Sequence, residues 1–262
     1  MTSSTAQKLA AAEKIEEVLG KVERAIQGIG PAIQSALDNP LIPDDLKASA
    51  MRSVQAFIKH AQAGMTEANR SQLAVAALAS STVEQQGISW REVASKASKL
   101  AETINRQDAV SELWHGPAKE KYAKAKDGQA KAVSRIETQA ELCAGIMDSA
   151  AEAELDCVIL SLGATVTWVG LMIGATALTG TVIGAPAGVV AGVGATVAFV
   201  STLALAELKL ERTLKTLAGQ LTTETGRQTD FGTGNWPEAT NPSFRQATPD
   251  EENVDDWEPS KR

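Results

Sequence analysis

"CVILSLGATVTWVGLMIGATALTGTVIGAPAGVVAGVGATVAFVSTLALA", residues 157–206, is a run of 50 residues without one charged side chain. Its edges are sharp: "AEAELD" precedes it and "ELKLER" follows it. The run divides at "GTVIGAP" (180–186) into one segment of 23 residues, 157–179, and one of 20, 187–206. About 20 apolar residues in a helix are enough to span the hydrocarbon core of a bilayer. A helix that is apolar on every side belongs either in the centre of a bundle or in a membrane.

Eight glycines lie in this stretch. In water each costs roughly 1 kcal/mol relative to alanine inside a helix. In lipid that penalty matters less, because unpaired backbone groups would cost several kcal/mol apiece. Gly170 and Gly174 make one GxxxG, and Gly184, Gly188 and Gly192 make a double one. Gly163, Thr167, Gly170 and Gly174 share a helical face, as do Gly188, Ala191, Ala195 and Thr202 on the second segment. Small faces let two backbones approach closely, which is how helices pair in lipid. Residues 157–206 therefore read as a membrane-competent hairpin packed through Gly170, Gly174, Gly184, Gly188 and Gly192. Whether it is inserted at rest or buried in a soluble bundle is left open by its residues.

Outward from the hairpin the chain reads as helix throughout. Residues 5–27 carry an amphipathic stripe of Leu9, Ile15, Val18, Leu19, Val22 and Ile26. The N-terminus has no apolar signal-peptide core. "GIGP" (28–31) and "DNPLIPDD" (38–45) are expected to break the helix twice, since proline and the residue before it leave helical geometry. Asp44 or Asp45 would cap the next helix, through Met51, Val54, Phe57, Ile58 and Ala61 toward Leu78. "EQQGIS" (84–89) is expected to be a turn, with Ser89 capping and Glu92 at the capping-box position.

From Trp90, residues Val93, Ala97, Leu100 and Ile104 form a heptad-like seam. A further helix is expected to start at Pro117, where proline is tolerated. Its seam runs through Tyr122, Ala125, Val133, Ile136, Ala140, Cys143 and Met147. No segment alternates with period two long enough to argue for a sheet. The fold class expected is all-α, an elongated helical bundle. Its parts are an N-terminal helical region (1–87), a helical hairpin (88–156), the charge-free hairpin (157–206) and a continuation helix (207–225). Residues 226–262, rich in Gly, Pro, Asn, Thr and acids, are expected to be a disordered acidic tail.

Composition narrows the function classes. Net charge is −7, with no block dense in lysine and arginine, which argues against nucleic acid as a partner. Cys143 and Cys157 stand 14 residues apart, roughly 21 Å along one helix, too far to pair. His60 and His115 lie in different segments without a cysteine or carboxylate at ligand spacing. The chain holds no phosphate-binding loop, dinucleotide fingerprint or nucleophile elbow. No catalytic residue, metal site or cofactor is expected.

"LWHGPAKEKY" (113–122) places a tryptophan and the single tyrosine at the link between two helical seams. Trp114-x-Gly116-x-Ala118-x-x-x-Tyr122 resembles the WXG motif of type VII (ESX) secretion substrates, which marks the turn of a helical hairpin. The layout of motif, long helix, Gly-rich hydrophobic region and low-complexity tail is similar to the ESX secretion-associated effectors. The resemblance implies export without a Sec signal peptide and a partner-recognition role for Trp114, Gly116, Ala118 and Tyr122. Family substrates or their partners carry a Tyr-x-x-x-Asp/Glu export signal, whereas here Lys126 follows Tyr122 at that spacing. A small WXG-like helical partner would then supply the signal.

The leading expectation is a non-enzymatic effector or structural substrate of a type VII system, secreted or membrane-associated through residues 157–206, and cytoplasmic before export. The alternative is an α-helical pore-forming protein that sheathes its apolar hairpin until triggered. Membrane lipid is an expected partner in both; a homo-oligomer is left open.

Overall fold

The computed structural model describes residues 3–106 and 117–226, and these form five α-helices and no strand. The helices are α1 (Ser3–Leu37), α2 (Asp44–Ala79), α3 (Val83–Arg106), α4 (Pro117–Thr179) and α5 (Ala185–Gly226). The all-α expectation holds. The described residues form two compact units, one of 3–82 with 150–215, the other of 83–106 and 117–149 with 216–226.

The first unit is a four-helix bundle built from two hairpins, α1–α2 and the distal part of α4 with the proximal part of α5. One apolar core joins them. Ile15, Val22 and Ile29 of α1 and Val54, Phe57 and Val75 of α2 pack with Trp168, Met172, Phe199 and Leu203 of the charge-free segment. The Trp168 and Phe199 rings stack with centroids 5.0 Å apart and planes 18° apart. Trp168 Nε1 donates to Thr196 Oγ1 at 3.2 Å, which satisfies the indole inside the core. The division expected at 180–186 falls at 180–184, between α4 and α5. Thr181 stitches it: the amide of Ala185 donates to its carbonyl at 2.9 Å, and that of Gly184 to its hydroxyl at 3.0 Å.

Three local expectations are corrected. The helix does not break at "GIGP"; α1 runs through Pro31 to Leu37. Ile29 and Ile33 are both buried in the core, and their packing holds the helix against the roughly 3 kcal/mol cost of an internal proline. Neither Asp44 nor Asp45 caps α2: the N-cap is Pro43, without a side-chain cap bond, and both aspartates sit in the first turn. There their charge is favourable toward the helix N-terminus. Finally, "EQQGIS" is helix, and the turn lies at 80–82. Ser89 donates to Gln85 O at 3.1 Å within α3 instead of capping it.

Gly87 accounts for the last of these. A Cβ there would stand 3.3 Å from Met147 Cβ and 3.1 Å from Asp148 Oδ1. The glycine therefore serves a close approach of helices, and no reversal is needed. In this second unit α3 and the proximal part of α4 run antiparallel: Arg91 pairs with Asp148, and Lys126 Nζ donates to Asn105 O at 3.1 Å. Ala97, Ala101 and Val133 form its small core, with Ile104 and Ile136 against it. Val93 and Leu100, expected on the seam, are exposed. Ala94, Ala97 and Ala101 take the inner face, because alanine lets the two helices come close.

Candidate membrane interface

The charge-free hairpin has two unlike faces. The inner one belongs to the core: Val158, Trp168, Met172, Ala175, Ala185, Phe199 and Leu203 are buried. The outer one is bare. Ile159, Leu160, Val166, Leu171, Ile173 and Leu178 on α4 and Val190, Val197 and Leu205 on α5 are exposed, and Ile183 in the turn is 92% exposed. Ile159, Val166 and Ile173 recur every seven residues, and so do Ile183, Val190 and Val197. A sevenfold repeat brings a residue back to nearly the same side of a helix, as for Ile159, Val166 and Ile173 on α4 and for Val190 and Val197 on α5, with Ile183 in the turn before α5. Monomeric soluble proteins rarely leave so long an apolar stripe uncovered. Both helices are long and apolar enough to cross a membrane; within their most apolar windows 39% and 33% is buried.

Between the two arms on this bare side runs an open groove of about 310 Å³. Leu160, Gly163, Thr167, Leu171, Ala198 and Thr202 line it. It contains no charged side chain.

Five threonine hydroxyls in the two arms of the hairpin are turned onto its own backbone. Thr165 donates to Ser161 O at 2.8 Å, Thr176 to Met172 O at 2.7 Å and Thr179 to Ala175 O at 2.8 Å. Thr196 donates to Gly192 O at 2.9 Å and Thr202 to Ala198 O at 2.8 Å. Back-bonding of this kind leaves none of these donors dependent on water.

The glycines divide into two sets. Gly188 and Gly192 are buried at true close approaches: a Cβ on Gly188 would stand 2.7 Å from Ala175 O, and one on Gly192 2.6 Å from Phe57 Cε2. Gly188 thus joins the two arms, while Gly192 seats the hairpin on α2. Gly184 lies in the turn, where a Cβ would meet Leu178 O at 2.6 Å. Gly170 and Gly174 are on the exposed face with nothing within 4 Å, so this GxxxG is not pressed against another helix of the chain. The other face proposed on α5 is split as well, with Gly188 and Ala195 buried and Ala191 and Thr202 exposed.

Of the Trp-Gly motif, Trp114 and Gly116 lie outside the described residues. Ala118 is in the first turn of α4, and Tyr122 follows one turn later, half-buried. Cys143 and Cys157 are both free and buried on α4. Burial pushes the Cys143 thiol up from its ordinary value, away from the reactive thiolate form. Among the described residues no three His, Cys, Asp or Glu side chains group as a metal site would require.

One feature escaped the reading of the sequence. Lys8 Nζ of α1 and Glu154 Oε2 of α4 form an ion pair at 2.6 Å, with side chains only 4% and 7% exposed. Ser81 Oγ donates to Glu154 Oε1 at 3.0 Å, and Lys8 Nζ reaches Leu78 O at 3.4 Å. A signal was present: Lys8 falls in register with Ala11, Ile15, Val18 and Val22, and Glu154 with Ala150, Val158 and Ser161. A charge on a buried stripe needs a partner.

Protein-family models, curated proteins and solved structures, compared with this chain, give no match.

Proposed function

We propose that this protein is a non-enzymatic helical effector that associates with membrane through the outer face of residues 157–206. We further propose that it leaves the cell by a type VII route with a small helical partner. The observation that carries the membrane part is the bare apolar face on a hairpin whose charge-free length matches a bilayer. The export part rests on the Trp-Gly motif in the sequence. What supports the pore-forming alternative is the packing of the inner face on α1 and α2, as in a hairpin stored under a sheath.

The test is liposome flotation of the wild type beside Val190→Lys and Val197→Lys. Both positions are exposed, so the charge leaves the core intact; Gly188, which is packed, would not serve. A lysine near the centre of an inserted helix costs about 2.5–3.5 kcal/mol, a loss in partitioning of about a hundredfold. Flotation of the wild type alone supports the reading, and equal behaviour of all three refutes it. Dye release from the same vesicles favours the pore-forming alternative; flotation without release favours the effector. Export that is unchanged by Trp114→Ala removes the type VII part.

A further inference from the structure

We propose that the apolar hairpin parts from α1 and α2 turn-first, at residues 180–184, and enters lipid by that end, with its charged base as the hinge. This rests on the membrane reading above and names the end of the hairpin that leads.

The order of contacts along the first unit carries the argument. At one end lie Lys8 with Glu154, Arg70 with Glu207 at 3.0 Å, and Asp156 with Lys209 at 3.0 Å. Further along, Gly64 of α2 meets Trp168, and then Phe57 meets Gly192. At the far end Gly180 faces the methyl group of Ala32. The described ion pairs that tie the α1–α2 hairpin to the apolar one therefore sit where the charge-free segments start and finish, and none sits at the turn.

Opening the two ends thus exposes different chemistry. Parting the base into lipid separates the Lys8 ammonium from the Glu154 carboxylate in a medium that solvates neither, where such a loss is heavily penalised. Parting the turn uncovers Ala175, Val182 and Ala185, which lipid accepts as readily as the core does, and Thr179, whose hydroxyl keeps its own bond to Ala175 O. The turn also presents Ile183 to the outside already. The α1–α2 connection also exposes an apolar side chain, Leu41, but it carries Asp38 and leads into Asp44 and Asp45, whereas the 180–184 turn has no charge.

A reversible clamp at the turn tests this. A Cβ on Gly180 would stand 3.6 Å from Ala32 Cβ, within the span a disulfide bridges, and its other neighbours are at ordinary contact distance. Full-length protein carrying Ala32→Cys and Gly180→Cys, with Cys143→Ala and Cys157→Ala, is compared oxidised and reduced on dye-loaded phosphatidylglycerol vesicles. The expected result is vesicle binding by the reduced form and at least a tenfold loss on oxidation, reversed by dithiothreitol. Equal binding by both forms overturns the turn-first order while leaving the membrane reading intact.

Failure of the reduced form to bind would instead count against the membrane reading. The order of opening is then read without lipid, by thiol labelling of a Cys143→Ala protein at Cys157 and of a Cys143→Ala, Cys157→Ala, Ala185→Cys protein, each relative to its rate in urea. Labelling at position 185 at least ten times faster than at Cys157 upholds the proposal. Equal or slower labelling overturns it.

Discussion

Replacing Gly64 by alanine sets two known effects against each other. An alanine inside a helix is favoured over glycine by roughly 1 kcal/mol. At Gly64, though, the added Cβ would stand 2.8 Å from Trp168 Cε2 and closer still to Cζ2. Carbon atoms want about 3.5–4.0 Å, so the ring or the helix must yield by about 1 Å. Trp168 cannot turn aside, because it is buried, stacked on Phe199 and hydrogen-bonded to Thr196. Overpacking a well-filled core costs about 1–3 kcal/mol, and a rigid neighbour belongs at the upper end. The expected net loss is about 1–2 kcal/mol, which lowers the urea midpoint by roughly 0.5–1 M. Gly20→Ala, in α1 with nothing within 4 Å of its Cβ position, should move the midpoint the other way. The deciding measurement is the same change in a Trp168→Leu background, followed by circular dichroism in urea. With the ring gone, Gly64→Ala should stabilise, giving a coupling of about 2–3 kcal/mol. Gly64→Ala that is neutral or stabilising in the wild-type background, or a coupling near zero, would refute the reasoning.

Breaking the buried pair by Lys8→Met should cost about 3–5 kcal/mol, since Glu154 keeps its bond from Ser81 but is left charged and buried without its counter-ion; Lys8→Met with Glu154→Leu should recover most of it in the same urea assay, and no recovery would mean that the pair is not the source. The Glu17 carboxyl is held at about 2, below its ordinary 4.5, by hydrogen bonds from Lys14 and Lys21. Because the folded value is depressed, the contribution of this group to stability is present above pH 4.5 and is lost as pH falls toward 2. A carboxyl NMR titration should place its midpoint there, and near the ordinary value in Lys14→Met, Lys21→Met protein; a wild-type midpoint at 4 or above contradicts the geometry.

The helical segments and the 180–186 division were legible because period and composition carry them directly. Pro31 and Gly87 misled for one reason: each is a strong local signal overruled by packing against residues remote in sequence, the core that buries Ile29 and Ile33 for the first and Met147 for the second. Which side of the hairpin faces the core was not legible at all. An amphipathic helix shows its outer face by its charges, and residues 157–206 have none on any side. Gly192 and Gly170 look alike in a string of small residues; only the position of Phe57 makes one of them a contact. Lys8 and Glu154 were visible as charges, but they had to be placed on the apolar stripes of two helices 146 residues apart before they read as partners.

The inward-turned hydroxyls have a consequence for the energetics of any change of surroundings. Moving a polar group from one medium to another is slow and costly when its partner must be left behind. Thr165, Thr176, Thr179, Thr196 and Thr202 each bond to a carbonyl four residues earlier in the same helix. The indole of Trp168 bonds to Thr196 across the two arms, so donor and acceptor ride together. The hairpin carries its hydrogen-bond partners as cargo, and a passage between protein interior and hydrocarbon would exchange dispersion contacts while leaving these bonds unbroken.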